Sequence, residues 1–153
     1  MHKNVVHLIG HVVYVVLYGA LVISAISAIL LYNSANLAKL LCAGIILSTG
    51  IIFLLWSSRS RKKGQALVQN GPYAFVRHPE FLGHILIIFA LIIVSQHWIS
   101  SIVGAILIVL LYLAIIEEER RNVEKFGNAY RDYMRRVPRI NLIAGIIRRM
   151  RSK

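Results

Sequence analysis

Long runs of apolar residues dominate the chain and predict its helices. The four runs extend from about Val5 to Tyr32, Leu37 to Trp56, Phe81 to Val94 and Ile99 to Ile116. A helix rises 1.5 Å per residue, so about 20 apolar residues cross a hydrocarbon core about 30 Å thick. The third run is short, but counted from Pro79 it is nearly long enough. Because the apolar residues form continuous blocks rather than stripes, we predict an all-α, polytopic membrane protein with four transmembrane helices.

A polar stretch, Leu67 to Gly83, separates the second and third runs and is rich in turn residues. Asn70-Gly-Pro72 predicts a turn, because glycine permits a positive φ and proline fixes its own. Pro79 stands where the third helix would begin, a position at which the missing N–H of proline loses no partner. So much polar and turn chemistry between two apolar halves indicates either a binding loop or an ordinary cytoplasmic connection.

The fourth helix is expected to continue into polar sequence. Val123, Phe126 and Tyr130 recur at three- and four-residue spacing, which is typical of an amphipathic stripe, and Gly127 interrupts it. The segment 140–153 has an isoleucine-rich stretch followed by arginines. We therefore predict a C-terminal amphipathic helical segment that lies on the membrane surface.

Composition and charge support the membrane prediction and give it an orientation. The chain is 58% hydrophobic, where soluble domains have about 45–50%, and its net charge is +12 from 18 Lys and Arg against six Asp and Glu. The basic residues flank apolar runs, which favours contact with anionic lipid headgroups over nucleic-acid binding. With four spans and both termini cytoplasmic, Lys39 is the one basic residue in an outside loop. The positive-inside rule therefore predicts that orientation in the cell membrane.

Cysteine and histidine give no indication of a metal site. Cys42 is the single cysteine and lies within an apolar run, so we interpret it as a small core residue. His7 and His11 share a helix face, but two histidines without a third ligand are better explained as polar anchors near the interface. The N-terminal run is long and lacks a clear cleavage site, so we expect a retained helix rather than a signal peptide.

Two polar clusters are predicted to meet on the cytoplasmic side. Arg77, His78 and Glu80 stand at the start of the third helix, and Glu117 to Glu119 stand at the end of the fourth. Helices joined by a short connection run antiparallel, so these two ends are neighbours. Three successive carboxylates beside a negatively charged lipid surface indicate either pairing with nearby arginines or a ligand that carries amines and hydroxyls.

These two clusters carry a resemblance to a known family. The stretch Gly71 to Gly83, GPYAFVRHPEFLG, resembles the G-x-Y-x-x-x-R-H-P-x-Y-x-G signature of the isoprenylcysteine carboxyl methyltransferase family. Further along, the chain resembles that family's E-E, F-G, Y, Y and R-V-P block at Glu118-Glu119, Phe126-Gly127, Tyr130, Tyr133 and Arg136-Val-Pro138. The resemblance covers about residues 64–139. The chain is similar also to bacterial and archaeal phospholipid N-methyltransferases.

The resemblance implies a membrane methyltransferase that uses S-adenosylmethionine. The acceptor would be lipophilic and would enter from the bilayer, as an isoprenylcysteine carboxylate-like group or a lipid headgroup. The implied cofactor-binding positions are Gln65, Leu67, Val68, Tyr73, His78, Pro79, Phe81 and Glu118. Arg77 and His78 would take the methionine carboxylate, and Glu118 would take a ribose hydroxyl or the amino group.

The expected catalytic residues are Arg77, Glu118 and Glu119, with the two glutamates dividing cofactor binding and substrate handling. Methyl transfer from a sulfonium depends on in-line positioning and desolvation, and an amine acceptor would also have to lose a proton to a base. We expect one domain over 1–153. It would comprise two N-terminal helices in 1–57, a catalytic hairpin with the cofactor motifs in 58–139, and a basic surface tail in 140–153.

Three residues depart from the family pattern. Phe81 replaces a tyrosine, Asn122 replaces a leucine, and Ala114 stands where eukaryotic carboxyl methyltransferases have an arginine that handles the substrate. The change at Ala114 weakens the case for a prenylcysteine carboxylate as acceptor. The methyltransferase class is less affected.

Two other functions are considered. A non-enzymatic basic membrane adaptor that binds anionic lipid or an acidic partner would explain the charge, but not the Gly71–Gly83 stretch or the three glutamates. A relative that reduces sterols with NADPH is disfavoured by the short chain and the intact Glu118-Glu119 pair. The methyl acceptor atom and the oligomeric state stay open.

Overall fold

The described residues form helices and irregular segments, and none of them lies in a β-strand. The computed structural model describes residues 2–32, 36–61 and 67–151, with side chains for 9–30, 36–61 and 67–151. His7, one of the two predicted interface anchors, therefore has no described side chain. In these ranges the α-helices are α1 His2–Tyr32, α2 Leu37–Ser60, α3 Pro79–Ser95, α4 Trp98–Phe126, α5 Asn128–Arg136 and α6 Leu142–Arg151, with a short 3₁₀ helix at Gly71–Ala74.

Three of the helices are long and apolar enough to cross a membrane. The spanning segments are Ile9–Leu30 of α1, Leu37–Ser60 and Trp98–Phe126. Helix α3 is apolar but has 17 residues, a length of about 26 Å at 1.5 Å per residue. The structure thus confirms the predicted all-helical architecture over the described residues, with three helices that are long and apolar enough to span a membrane. A crossing by α3, and with it the four-span count, stays a prediction.

The chain separates into two compact units. Unit 1 comprises Met1–Ser48 and Ile85–Leu113, and unit 2 comprises Thr49–His84 and Ala114–Lys153. Three helices, α2, α3 and α4, each contribute one part to unit 1 and another to unit 2.

Unit 1 is built from apolar packing with one polar cluster. Its buried side chains include Leu21, Ile88 and Leu107. Ser24, Ser95 and Ser100 bring their hydroxyls together at 2.6–2.9 Å, which joins α1 to the end of α3 and the start of α4. The connection between α3 and α4 is short, with Gln96 at a φ of 51°.

The third helix of the chain, α3, begins in unit 2 at the residue that the sequence predicts. Pro79 is the first residue of α3, and the His78 carbonyl accepts the first helical hydrogen bond, from Leu82 N at 3.1 Å. A Cβ added to Gly83 would lie 2.8 Å from Gly50 O, so a glycine lets α3 approach the α2 backbone closely.

The end of α4 and the start of α5 also follow the sequence prediction. Helix α4 continues ten residues past Ile116, to Phe126. Gly127 breaks it with a φ of 56°, a left-handed value that glycine adopts without steric cost. Helix α5 then carries Tyr130 and Tyr133 into the core of unit 2.

The turn around Gly71, between α2 and α3, also lies in unit 2. This residue has a φ of 60°, and a Cβ there would collide with Ser60 Oγ on α2. The following 3₁₀ turn buries Pro72 and Tyr73. The predicted turn is therefore a packed element and not an ordinary exposed loop.

Candidate functional site

The two polar segments singled out in the sequence meet along their backbones in unit 2. Arg77 N donates to Pro138 O at 2.9 Å, and His78 N donates to Arg139 O at 3.1 Å. The Arg-His-Pro triplet therefore lies beside the Arg-Val-Pro-Arg segment that follows α5. The two segments are far apart in sequence but are joined by backbone hydrogen bonds.

A buried carboxylate on α4 binds both segments together. Glu119 Oε1 accepts from Arg77 Nη2 at 2.7 Å and Nε at 3.0 Å, while Oε2 accepts from Arg139 Nη2 at 2.6 Å. His78 Nε2 lies 3.3 Å from the same Oε1. Because hydrogen bonds between charged groups are roughly twice as strong as neutral ones, this cluster fixes three chain segments around one carboxylate.

Arg77 is saturated on its other side as well. Its Nη1 donates to Met134 O at 2.7 Å and to Val137 O at 2.8 Å, at the end of α5. The side chain is 8% exposed. A guanidinium suits this position because its rigid fork of donors meets a carboxylate and two carbonyls at once, which an ammonium does not match.

The three successive glutamates have three different environments. Glu117 pairs with Arg120 one turn away, at 2.9 Å, in an exposed ion pair. Glu119 is buried in the cluster with two arginines. Glu118 is half-buried and forms neither a hydrogen bond nor an ion pair with any described residue. The three carboxylates therefore differ in how far the described residues satisfy them.

Glu118 lines a cleft of about 250 Å³ in unit 2. The cleft takes Glu118, Asn122, Lys125 and Phe126 from one face of α4, at offsets of four, seven and eight residues. Tyr130 and Tyr133 come from α5, and α2 and the α2–α3 connection supply the rest: Arg61, Leu67, Val68, Tyr73 and Arg77. One carboxylate thus faces aromatic rings and cationic side chains.

Tyr73 is held in the cleft wall by its hydroxyl. Ser57 Oγ lies 2.6 Å from Tyr73 Oη, and Arg61 Nε donates to the same oxygen at 2.8 Å. Arg61 also forms a salt bridge with Glu80 at the start of α3. This network ties the end of α2 to the polar stretch and fixes the orientation of the Tyr73 ring.

The two tyrosines of α5 remain neutral phenols. Burial raises the pKa of both Tyr130 and Tyr133 above the ordinary tyrosine value. Tyr133 Oη donates to Tyr73 O at 2.6 Å, which holds α5 against the 3₁₀ turn. A neutral phenol is required there, because a phenolate has no proton to donate to the carbonyl.

The predicted site residues fall into two groups in unit 2. Cleft-lining positions include Leu67, Val68, Tyr73, Arg77 and Glu118. Behind the cleft wall, His78 and Pro79 are buried, and the Phe81 ring meets the His78 ring edge-on at 5.6 Å. Glu119 reaches the cleft through Arg77. Gln65 lies outside the described residues, and the ligand-binding and catalytic roles of all these residues stay predictions.

Several site residues were not assigned from the sequence. Lys125 and Phe126 line the cleft beside Glu118, and their helical spacing from Glu118 was a usable signal. Arg139 completes the Glu119 cluster, and its place directly after the Arg-Val-Pro segment hinted at a shared role. Arg61 also lines the cleft. Nothing in its neighbourhood predicted the bond to Tyr73.

The described residues hold no group of three or more His, Cys, Asp and Glu side chains arranged to bind a metal ion. Glu119 and Glu117 pair with arginines, whereas Glu118 has no ion-pair partner among the described residues.

Comparison with known proteins identifies a family. The phospholipid methyltransferase family model matches residues 46–129, more than half of the chain, and these residues include Arg77, Glu118 and Glu119. The cobalt-zinc-cadmium resistance protein CzcN of Cupriavidus metallidurans is 31% identical over 97 residues, which cover 62% of this chain. The chain spans 44% of that relative's length. No solved structure matches the chain.

The chain belongs to the phospholipid methyltransferase family. This confirms the predicted relationship to membrane methyltransferases. The narrower resemblance to isoprenylcysteine carboxyl methyltransferases stays a prediction. Together with the three long apolar helices, the family match makes the protein an integral membrane protein.

Proposed function

We propose that this chain, a member of the phospholipid methyltransferase family, transfers a methyl group from S-adenosylmethionine to a lipophilic acceptor in the membrane. The acceptor is a lipid headgroup or an isoprenylcysteine carboxylate-like group. The observation that carries the proposal is the cleft in which Glu118, which pairs with no described residue, faces aromatic and cationic side chains.

The side chains of the cleft fit the chemistry of S-adenosylmethionine. That molecule carries an amino group and ribose hydroxyls, for which Glu118 is a charge-assisted acceptor. It carries a carboxylate, for which Arg61 and Lys125 are donors in the cleft. It also carries an adenine ring and a sulfonium cation, both of which favour aromatic faces. When bound, S-adenosylmethionine supplies an electrophilic methyl group on sulfur.

The protein's contribution is positioning and exclusion of water. Glu119 is a positioning residue in this proposal, since it binds Arg77, which lines the cleft, and also Arg139. Tyr73, fixed by Ser57 and Arg61, provides a rigid aromatic wall. A pre-oriented, partly dry cleft raises the rate of in-line transfer because little reorganisation remains to be done. For an amine acceptor, Glu118 is also the available base.

Binding of S-adenosylhomocysteine in detergent tests the cofactor half of the proposal. We expect calorimetry to give at least tenfold weaker binding for Glu118→Gln than for the unaltered protein, because the amide loses the charge that holds an amine. The matched control is Glu117→Gln. Glu117 is the neighbouring residue and forms an exposed ion pair. Its substitution removes the same charge, and we expect this variant to bind normally. Equal affinities for all three proteins would refute the assignment of Glu118. Absence of binding by the unaltered protein would favour the adaptor function.

Transfer of a labelled methyl group tests the acceptor half. Purified protein is incubated with methyl-labelled S-adenosylmethionine and a total membrane lipid extract, and in parallel with a prenylated cysteine peptide. We expect label in a lipid-soluble product from one of the two, and its mass identifies the acceptor. Bound S-adenosylhomocysteine without any labelled product from either acceptor would contradict the proposed lipophilic acceptor while leaving cofactor binding in place.

A further inference from the structure

Arginines make up half of the residues that line a second cavity of unit 2. It has a volume of about 650 Å³ and lies between the end of α5 and the face of α6. We call it the arginine groove, after the five side chains that line it: Arg135, Arg136, Arg148, Arg149 and Arg151. Its lining residues include no Asp or Glu, so five positive charges converge on one concave surface.

The charges of the groove are only partly neutralised. Arg135 lies 3.5 Å from Asp132 in an exposed pair, and Arg136 donates to the neutral amide of Gln69 at 3.3 Å. Arg148 and Arg151 form no ion pair with the described residues. Like charges brought this close repel one another, and an anion with several acceptor oxygens relieves that repulsion by accepting from several guanidinium groups.

The helix that supplies three of the arginines also presents exposed apolar side chains. On α6, Ile143 is 72% exposed, Ile147 46% and Met150 73%. A short helix with a basic face and an apolar face is typical of segments that lie in the membrane interface. We therefore expect the anion to carry apolar groups as well, which favours a lipid headgroup over a soluble phosphate.

Helix α6 is fixed in place by two contacts with Phe75. Gly145 packs so closely on the Phe75 carbonyl that any Cβ at this position would overlap it. The Arg149 guanidinium stacks over the Phe75 ring, with its central carbon 4.9 Å from the ring centroid. The groove is therefore a preformed surface.

We propose that the arginine groove binds the phosphate headgroup of an anionic membrane lipid. Arg148 and Arg151 supply the principal donors, and Ile143, Ile147 and Met150 meet the acyl region. The groove shares only Tyr133 with the Glu118 cleft. The proposal is therefore separate from methyl transfer and does not depend on it.

Binding of short-chain lipids to the full chain in a neutral detergent tests this proposal. The probes are dioctanoyl phosphatidic acid, dioctanoyl phosphatidylcholine and inorganic phosphate. Native mass spectrometry and titration of the melting temperature give the apparent affinities. We expect phosphatidic acid to bind at least tenfold more tightly than either of the other two, since only it combines a net negative headgroup with acyl chains.

Three double substitutions locate the site. Arg148→Gln with Arg151→Gln should weaken phosphatidic acid binding roughly 25-fold, at about 1 kcal/mol for each arginine near a lipid surface. Arg121→Gln with Arg131→Gln removes the same charge from exposed positions outside the groove and should leave the affinity within about twofold. Ile143→Ser with Ile147→Ser should weaken binding of the lipid and leave that of phosphate unchanged.

The outcomes decide the proposal. Equal losses in both arginine pairs would show diffuse attraction by net charge and overturn a specific site. Phosphate that binds as tightly as phosphatidic acid would reassign the groove to a soluble anion. No binding of any probe by the unaltered protein would eliminate the site. None of these results alters the expectation for S-adenosylhomocysteine.

Discussion

The two compact units of this protein are stabilised by different kinds of buried groups. Of the buried polar side chains that the structure describes, unit 1 holds only the hydroxyls of Ser95 and Ser100. Unit 2 holds the hydroxyl of Ser57 and three ionisable side chains, those of Arg77, His78 and Glu119. Hydroxyls are inexpensive to bury when they bond one another, whereas ions are costly to bury even when paired. Unit 1 therefore has a mainly apolar core, whereas unit 2 buries ionised groups whose desolvation is unfavourable.

The difference indicates where the specific geometry of the molecule lies. A buried ion pair is weak evidence for stability, because apolar replacements of similar volume are often as stable. The Glu119 cluster instead fixes the relative positions of α4, the Arg77–His78 segment and the Arg139 segment. These same segments carry the Glu118 cleft. We infer that the cluster is retained because it holds the cleft in one shape.

The largest expected effect comes from removing the central carboxylate. Glu119→Ala leaves the buried Arg77 without its counterion, and breaking a buried pair in this way costs about 3–5 kcal/mol. Trp56 belongs to unit 2 and Trp98 to unit 1. Denaturant unfolding in detergent, followed by tryptophan fluorescence in Trp98→Phe and Trp56→Phe backgrounds, reports on the two units separately. We expect the midpoint detected by Trp56 to fall most.

The control for this prediction is Glu117→Ala. Its ion pair with Arg120 is exposed, and such pairs contribute little to stability. Its unfolding midpoint should match that of the unaltered protein. A midpoint for Glu119→Ala that also matches the unaltered protein would mean that the cluster is not a stabilising element of unit 2.

A smaller effect is expected from adding one methyl group at helix contacts in each unit. In unit 2, Gly145→Ala places a Cβ on the Phe75 carbonyl, which is backbone and cannot move away alone. In unit 1, Gly104→Ala meets the end of the Ile92 side chain, which can rotate. We expect Gly145→Ala to cost about 1–3 kcal/mol, as overpacking does, and Gly104→Ala to cost clearly less. Melting temperatures of the two variants provide the measurement, and a larger loss for Gly104→Ala would contradict this account.

The sequence predicted the helices well because membrane-length apolar runs admit few alternatives. It also predicted the start of α3 at Pro79 and the break at Gly127, since both residues restrict or permit particular backbone angles. The length of α3 was less certain. Its apolar run is interrupted by Gln96 and His97, and composition does not determine whether 17 residues cross a bilayer.

The division of labour among the three glutamates was not predictable from sequence. Glu118 and Glu119 are adjacent and chemically identical, and the family resemblance treats them as a pair. Their environments differ because successive helical residues point about 100° apart. One side chain is directed at Arg77 and Arg139, and the other lines the cleft. Only the three-dimensional partners distinguish them.

The smallest expected effect comes from the serine cluster of unit 1. Ser95→Ala removes two of the three hydroxyl contacts, but Ser24 and Ser100 remain 2.9 Å apart and still bond each other. Interhelical hydrogen bonds in membranes contribute about 0.6 kcal/mol on average, so we expect a loss below about 1 kcal/mol. Ser48→Ala is the control, because Ser48 bonds only carbonyls of its own helix and should have no measurable effect. A loss for Ser95→Ala as large as that for Glu119→Ala would remove the contrast between the units, since a neutral hydroxyl would then stabilise as much as a buried charge.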